Sequence, residues 1–422
     1  MKKTDKGEQY ITGKFIKGTL WNTIGVSTYF GCQWLITILA VWLFDDFSSV
    51  GYLALAMSIT NFFFIIASYN IRIFQASDTK DEFGNDVYIA SRILTCAAAF
   101  VLCWIFALAA GLTAFQQAIV LAFMLYRVNE AFLDVFHGIN QKQWRMDIIG
   151  VSMAARGVAS VAVFTLLGWM SGILWAVVGI FIITVFIGAV YDFQKTKQLA
   201  ALSLCFDTRI VQLVKKCFPL MIVVLISTFT LSYSRFSVDR IHGTEAFGVF
   251  SAVTAPAMII QIAATVVLAP LANVFASYFS GTKIKEFAKV FVLYGAIMAL
   301  FVFFAYVFAL AAGEWGLGLL YGAQILPYAY LLPSAVIVAG TTAFMWYMSV
   351  VYTVIRDIRG LLYGNIMAAA ICLAITDVFL IEIGLIGANY IVIVCQGVAV
   401  FFFFIRLLWF IKRKKVEAMP TS

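Results

Sequence analysis

The chain has 422 residues, 63% of them hydrophobic and only 12% charged, with a formal net charge of +8 and a mean hydropathy of +0.98. Soluble domains carry about 45–50% apolar and about 25% charged residues, so the composition excludes an ordinary soluble domain and points to a membrane. Seven cysteines without a Cys-x-x-Cys, and only two histidines, support neither a disulfide framework nor a metal site. A spanning helix needs about 20 apolar residues. About twelve such runs occur: 18–43, 50–74, 87–110, 113–139, 146–168, 170–191, 217–238, 246–271, 287–311, 328–353, 360–381 and 385–410. The first is too long for the apolar core of a secretory signal and reads as a retained span. The glycine-rich stretch Gly313–Leu326 reads as an interfacial connector.

The expected architecture is therefore an all-α polytopic membrane protein. A polar stretch divides it into a first six-helix lobe (1–195), a connector (196–216) and a second six-helix lobe ending in a basic tail (217–422). Charge placement orients the map. With a cytoplasmic amino terminus, 25 of the 29 Lys and Arg fall at cytoplasmic connections or termini, among them Arg72, Lys80 and Arg92 at the second connection and Lys283 at the eighth. One falls outside (Arg240) and three within spans (Arg127, Arg156, Arg235). The positive-inside rule then puts both termini and the connector in the cytoplasm of a multi-pass cell-membrane protein. The basic balance faces the bilayer surface, and nucleic acid is not needed as a partner. A weak repeat accompanies this: Asp46 before Gly51-Tyr52 echoes Asp239 before Gly248-Val249, as in transporters built from parallel repeats.

The fourth run carries the most informative residues. Arg127, Glu130 and Asp134 are spaced three and four apart, so on a helix they share one face. Each charge at the bilayer centre costs about 2.5–3.5 kcal/mol, so this face looks into the protein. Arg156, at matched depth in the next run, suggests a Glu130–Arg156 contact. That contact is either a structural ion pair or part of a cationic site suited to a phosphate-bearing head group. Arg235 in the seventh run supplies a matching charge or snorkels outward, with Asp377 as its candidate partner. Asn61, like Asn22, Gln33 and Asn365, lines a cavity or hydrogen-bonds a neighbouring helix. His137 and His242 read as satisfied interfacial histidines. No phosphate-binding Gly-rich loop, G-x-S-x-G elbow or H-E-x-x-H is present, so the chain carries no signature of ATP hydrolysis or of these enzymes.

Several stretches resemble a known family. Asn70-Ile-Arg-Ile-Phe-Gln-Ala-Ser-Asp78, Ser91-Arg-Ile-Leu-Thr95, Asn129-Glu-Ala-Phe-Leu-Asp-Val-Phe-His-Gly138, Gln141 to Arg145-Met-Asp147, Gly150-Val-Ser152, Arg156-Gly157 and Leu320-Tyr-Gly322 are similar to bacterial polysaccharide-biosynthesis membrane proteins of the Wzx type. These belong to the superfamily that includes MATE drug exporters and lipid II flippases. The resemblance implies two six-helix lobes around a central, alternating-access cavity. It implies movement of polyprenyl-diphosphate-linked oligosaccharides to the outer leaflet, with no cofactor and with polysaccharide polymerase and assembly proteins as partners. Within the matching block it points to Arg72, Asp78, Arg127, Glu130, Asp134 and Arg156.

Two rivals compete with this flippase reading. A MATE-like drug/cation antiporter is disfavoured because the first span, Gly18–Phe44, holds no acid. A glycan-modifying membrane enzyme is disfavoured because the outer connections are short and no His–acid cluster appears.

Overall fold

The computed structural model describes residues 2–44, 46–78, 82–280 and 284–417; Lys80 and Lys283 of the charge map lie outside these. Its first helices are α1 (Lys2–Leu43), α2 (Phe47–Ser68), α3 (Ile71–Ser77), α4 (Asn85–Ala109), α5 (Ala114–Lys142), α6 (Met146–Ser171), α7 (Ile173–Ile187) and α8 (Gln194–Lys197). There follow α9 (Arg209–His242), α10 (Thr244–Thr254), α11 (Met258–Ser280), α12 (Ile284–Tyr321), α13 (Leu331–Val354), α14 (Ile358–Ile383) and α15 (Leu385–Glu417). A π-helical turn, Gly188–Phe193, joins α7 to α8, and a 3₁₀ turn, Ala255–Ala257, joins α10 to α11.

Among the described residues, eleven helical segments are long and apolar enough to cross a membrane. The charged α5 is not one of these. Its 29 residues, at about 1.5 Å each, are nonetheless long enough to span. The result is an all-α, multi-pass membrane protein with the twelve spans expected from hydropathy. One expectation fails. Residues from Gly313 to Tyr321 are not a connector but the last turns of α12; only at Gly322, with φ +80°, does the helix stop. Glycine lowers helix propensity without forbidding it, and Leu317, Leu319 and Leu320 carry the helix through.

The chain forms two compact units, Met1–Leu225 and Ile226–Ser422. In the first, α1 packs most extensively on α6, while α5 packs on α2, α4 and α7. The α1–α6 seam is glycine on glycine. A Cβ built at Gly25 would fall onto the Gly150 backbone, and one built at Gly150 onto the backbone of Trp21. Small residues let membrane helices approach backbone to backbone, where lipid supplies no hydrophobic drive. At the connector end of the unit, Tyr69, Ile71, Phe83, Val87, Tyr88, Leu133, Phe136, Ile210, Leu213 and Cys217 form one buried apolar cluster, which docks the start of α9 against α3, α4 and α5.

The second span is broken. Tyr69 (φ 47°) and Asn70 (φ 52°) both sit in the left-handed region, which is unfavourable for a bulky residue such as tyrosine. The break frees carbonyls at the end of α2, and α4 takes them up. Arg92 Nη1 donates to Ala67 O (3.1 Å) and Ser68 O, and Thr95 Oγ1 donates to Ala67 O (2.9 Å). Arg92 is therefore fully buried within α4, not a cation of the connection between the second and third spans, where the charge map put it. Hydropathy alone could not distinguish an arginine at a helix mouth from one folded back onto a broken neighbour.

The second unit centres on α13, which packs against α11, α12 and α15. Thr341 and Thr342 donate to Gln396 Oε1 (2.9 and 3.0 Å), and Tyr352 donates to Phe403 O (2.7 Å). Asn389 ties α15 to Leu331 O (3.2 Å) and Ser334 Oγ (2.9 Å).

Candidate functional site

The charged face of α5 is the organising element of the first unit. Arg127 donates through Nη1 to Glu130 Oε2 (2.6 Å) and through Nη2 to Asn61 Oδ1 (3.0 Å), and its guanidinium lies over the Phe64 ring at 3.9 Å. Glu130 Oε1 accepts from Tyr29 of α1, whose hydroxyl also meets that of Tyr126; Gln33 Nε2 donates to Tyr126 Oη (3.1 Å). One turn along, Asp134 bridges two arginines, Arg72 Nη1 at 2.9 Å and Arg92 Nη2 at 3.3 Å. Gln141 Oε1 completes the hydrogen bonds of Arg72, at 3.2 Å from both Nε and Nη2.

A branch runs from this face to the sixth span. His137 Nε2 lies 3.3 Å from Asp192 Oδ1 and 3.4 Å from Arg156 Nη2. One ring nitrogen cannot both donate to the carboxylate and accept from the guanidinium, so the imidazole's proton decides which contact holds. Ser152 Oγ donates to Asp192 Oδ2 (2.7 Å) in either case. Asp192 belongs to the π-helical turn. The extra residue in such a turn rotates the helix that follows. Here it accompanies a fully buried carboxylate, one residue past the end of the apolar run 170–191.

The predicted residues thus divide into groups. Arg127 and Glu130 form one cluster with Asn61, Arg72 and Asp134 form a second one turn along α5, and Arg156 belongs to a third with His137 and Asp192. The Glu130–Arg156 ion pair does not form. Although α5 and α6 are consecutive, α1 packs on α6, and its Tyr29 stands between the two charges. The Tyr29 ring faces Arg156 at 5.9 Å and its hydroxyl serves Glu130. Arg127, three residues before Glu130 on the same helix, is the nearer cation.

Asp78 stands apart. It accepts from the backbone N–H groups of Glu82 (2.9 Å) and Phe83 (3.1 Å) and from the Tyr88 hydroxyl (3.0 Å), pinning the turn into α4. Burial works against its charge, but these donors outweigh it and hold the carboxyl below the ordinary range.

In the second unit, Asp377 pairs with Arg240, not with Arg235. Arg240 reaches it from the last turn of α9. His242 is satisfied by Leu380 O at 3.0 Å.

Four residues of the network escaped sequence reasoning: Tyr29, Tyr126, Arg92 and Asp192. Arg92 did carry a signal. Tyr88, Arg92 and Thr95 repeat at helical spacing, the pattern of a polar stripe turned inward. The tyrosines carried none, since aromatics are frequent throughout the chain.

No protein-family model and no curated protein matches this chain. Solved structures do. The chain is similar to a Vibrio cholerae MATE transporter, VcmN in its bent form, with a TM-score of 0.62 and 13% identity over 97% of this chain and 98% of that one. It is similar to an inward-facing multidrug resistance MATE transporter of the MOP superfamily, with a TM-score of 0.63 and 14% identity over 95% and 96% of the two chains. A third is a MOP-superfamily transporter from Pyrococcus furiosus, described as having a binding pocket of reverse polarity (TM-score 0.63, 13% identity, 95% and 96% covered). The chain has the MATE-type fold of MOP-superfamily transporters.

Proposed function

We propose that this protein is a transporter of the cell membrane that carries polyprenyl-diphosphate-linked oligosaccharides to the outer leaflet, with both termini in the cytoplasm. The observation that carries this reading is the charge balance of the α5 network. Four guanidinium groups (Arg72, Arg92, Arg127, Arg156) meet three carboxylates (Glu130, Asp134, Asp192), and Arg72 and Arg127 keep 29% and 18% of their side-chain surface accessible. A net cationic, partly open network at membrane depth suits an anionic head group, and arginine's planar fork holds phosphate oxygens two at a time. Partners among polysaccharide polymerase and assembly proteins belong to the same proposal.

Export of cationic drugs is a second reading, and one observation favours it: the similar folds include transporters described as multidrug exporters. A strain lacking its own glycan flippase separates the two. Expression of this protein is expected to restore surface glycan and to leave ethidium efflux unchanged. Restored efflux without surface glycan would replace the first reading with the second.

A further inference from the structure

Guanidinium groups inside membranes are matched by counter-charges, because an unpaired one costs several kcal/mol. In the first unit Arg72, Arg92 and Arg127 follow this rule and Arg156 has the His137 ring nitrogen beside it (3.4 Å); in the second unit Arg240 pairs with Asp377 and Arg406 with Asp357 (2.6 Å). Arg235 does not. Seven residues, or about 10 Å, before the end of α9, it has no hydrogen-bond or ion-pair partner among the described residues. It borders a small cavity of about 20 Å³ at the junction of α9, α10, α11, α13 and α15.

A second polar side chain of that cavity, Gln261 of α11, is also without a partner among the described residues. The other polar residues there are already engaged. Ser234 donates to Ala388 O (2.9 Å), Thr254 to Ser251 O (3.4 Å), and Asn389 to Leu331 O and Ser334 Oγ. Beside the cavity the eighth span breaks. Pro256 lacks an N–H, and the helix passes through the 3₁₀ turn Ala255–Ala257 before α11 begins. Broken spans beside a polar cavity are where membrane transporters hold ions and charged substrate groups.

We propose that Arg235 and Gln261 form an oxyanion site inside the second unit, taking one phosphate or carboxylate group through the guanidinium fork and the side-chain amide. The cavity as it stands admits a water-sized group, so the anion's oxygen enters it and the rest of the ligand stays outside. The acceptor-only chemistry of an oxyanion matches two donors that the chain itself leaves unused. The site stands on the second unit alone and does not require that the cargo be a lipid-linked glycan.

Purified protein, titrated with decyl phosphate, inorganic phosphate and decanol and followed by native mass spectrometry, tests this. Binding of at least one phosphate probe is expected to weaken tenfold or more in Arg235→Gln and severalfold in Gln261→Leu, while Arg235→Lys keeps part of it. The decanol adduct should not change. Loss of decyl phosphate binding alone identifies a head group on an apolar chain as the ligand; loss of inorganic phosphate binding as well identifies a free oxyanion. Parent-like phosphate binding by Arg235→Gln, or no phosphate binding by the parent, would overturn the site. Because Arg127 and Glu130 are untouched, parent-like binding by Arg235→Gln would overturn this site and leave the proposal for the first unit standing.

Discussion

Asp134→Ala is expected to remove most of the folded protein. Asp134 is the only carboxylate within ion-pair distance of Arg92 among the described residues, and Arg92 is fully buried. Deleting one partner of a buried pair costs about 3–5 kcal/mol because the other charge is left stranded. Asp134 itself keeps 23% of its side-chain surface accessible, which sets the expectation toward the lower end. Even about 3 kcal/mol is a large share of the roughly 5–15 kcal/mol that holds a typical protein folded. The loss would also free Arg92 from the carbonyls of Ala67 and Ser68, loosening the break in the second span. Asp134→Asn retains the shape and one acceptor oxygen and should recover part of the yield. Size-exclusion recovery of monodisperse protein, with its thermal midpoint, reads both variants. Parent-like recovery of Asp134→Ala would mean that the Arg92 charge is compensated elsewhere.

The second large effect belongs to the α1–α6 seam. Gly150→Leu places a side chain where Trp21 and Asn22 present backbone. Overpacking against side chains costs about 1–3 kcal/mol, and occasionally more, because rotamers yield. Backbone cannot yield without moving the whole helix. Since α1 packs chiefly on α6, the displacement would carry Tyr29 away from Glu130. The expected result is loss of at least half the monodisperse protein and a clearly lowered thermal midpoint. Gly31→Leu is the control: it lies on the same α1, has open space around its Cβ position, and should behave like the parent. Equal behaviour of the two variants would show that the seam is not close-packed.

Much of this architecture is legible in the amino-acid sequence. The twelve spans follow from apolar runs, and the inward face of α5 follows from three charges at helical spacing that lipid would not accept. The pairings were less accessible, for physical reasons. Matched depth on consecutive helices suggested Glu130–Arg156, but depth says nothing about which helices touch. The glycine seam puts α1 beside α6 and inserts Tyr29 between those charges. Asp192 was hidden because a π-helical turn extends burial past the apolar run. Arg235 and Asp377 illustrate the same limit at the other end of the chain: two charges in reach by depth, of which Asp377 is taken by a nearer cation.

The most direct test of the proposed transport is flipping of a polyprenyl-diphosphate-linked oligosaccharide by the purified protein in proteoliposomes. The informative variant is the double substitution Arg127→Gln with Glu130→Gln. It removes both members of the ion pair and strands no charge, so the fold is expected to survive. If the α5 network handles the diphosphate, the parent flips the substrate and the double variant, per folded molecule, does so at least tenfold more slowly. Parent-like flipping by the double variant, or no flipping by the parent, would contradict the account.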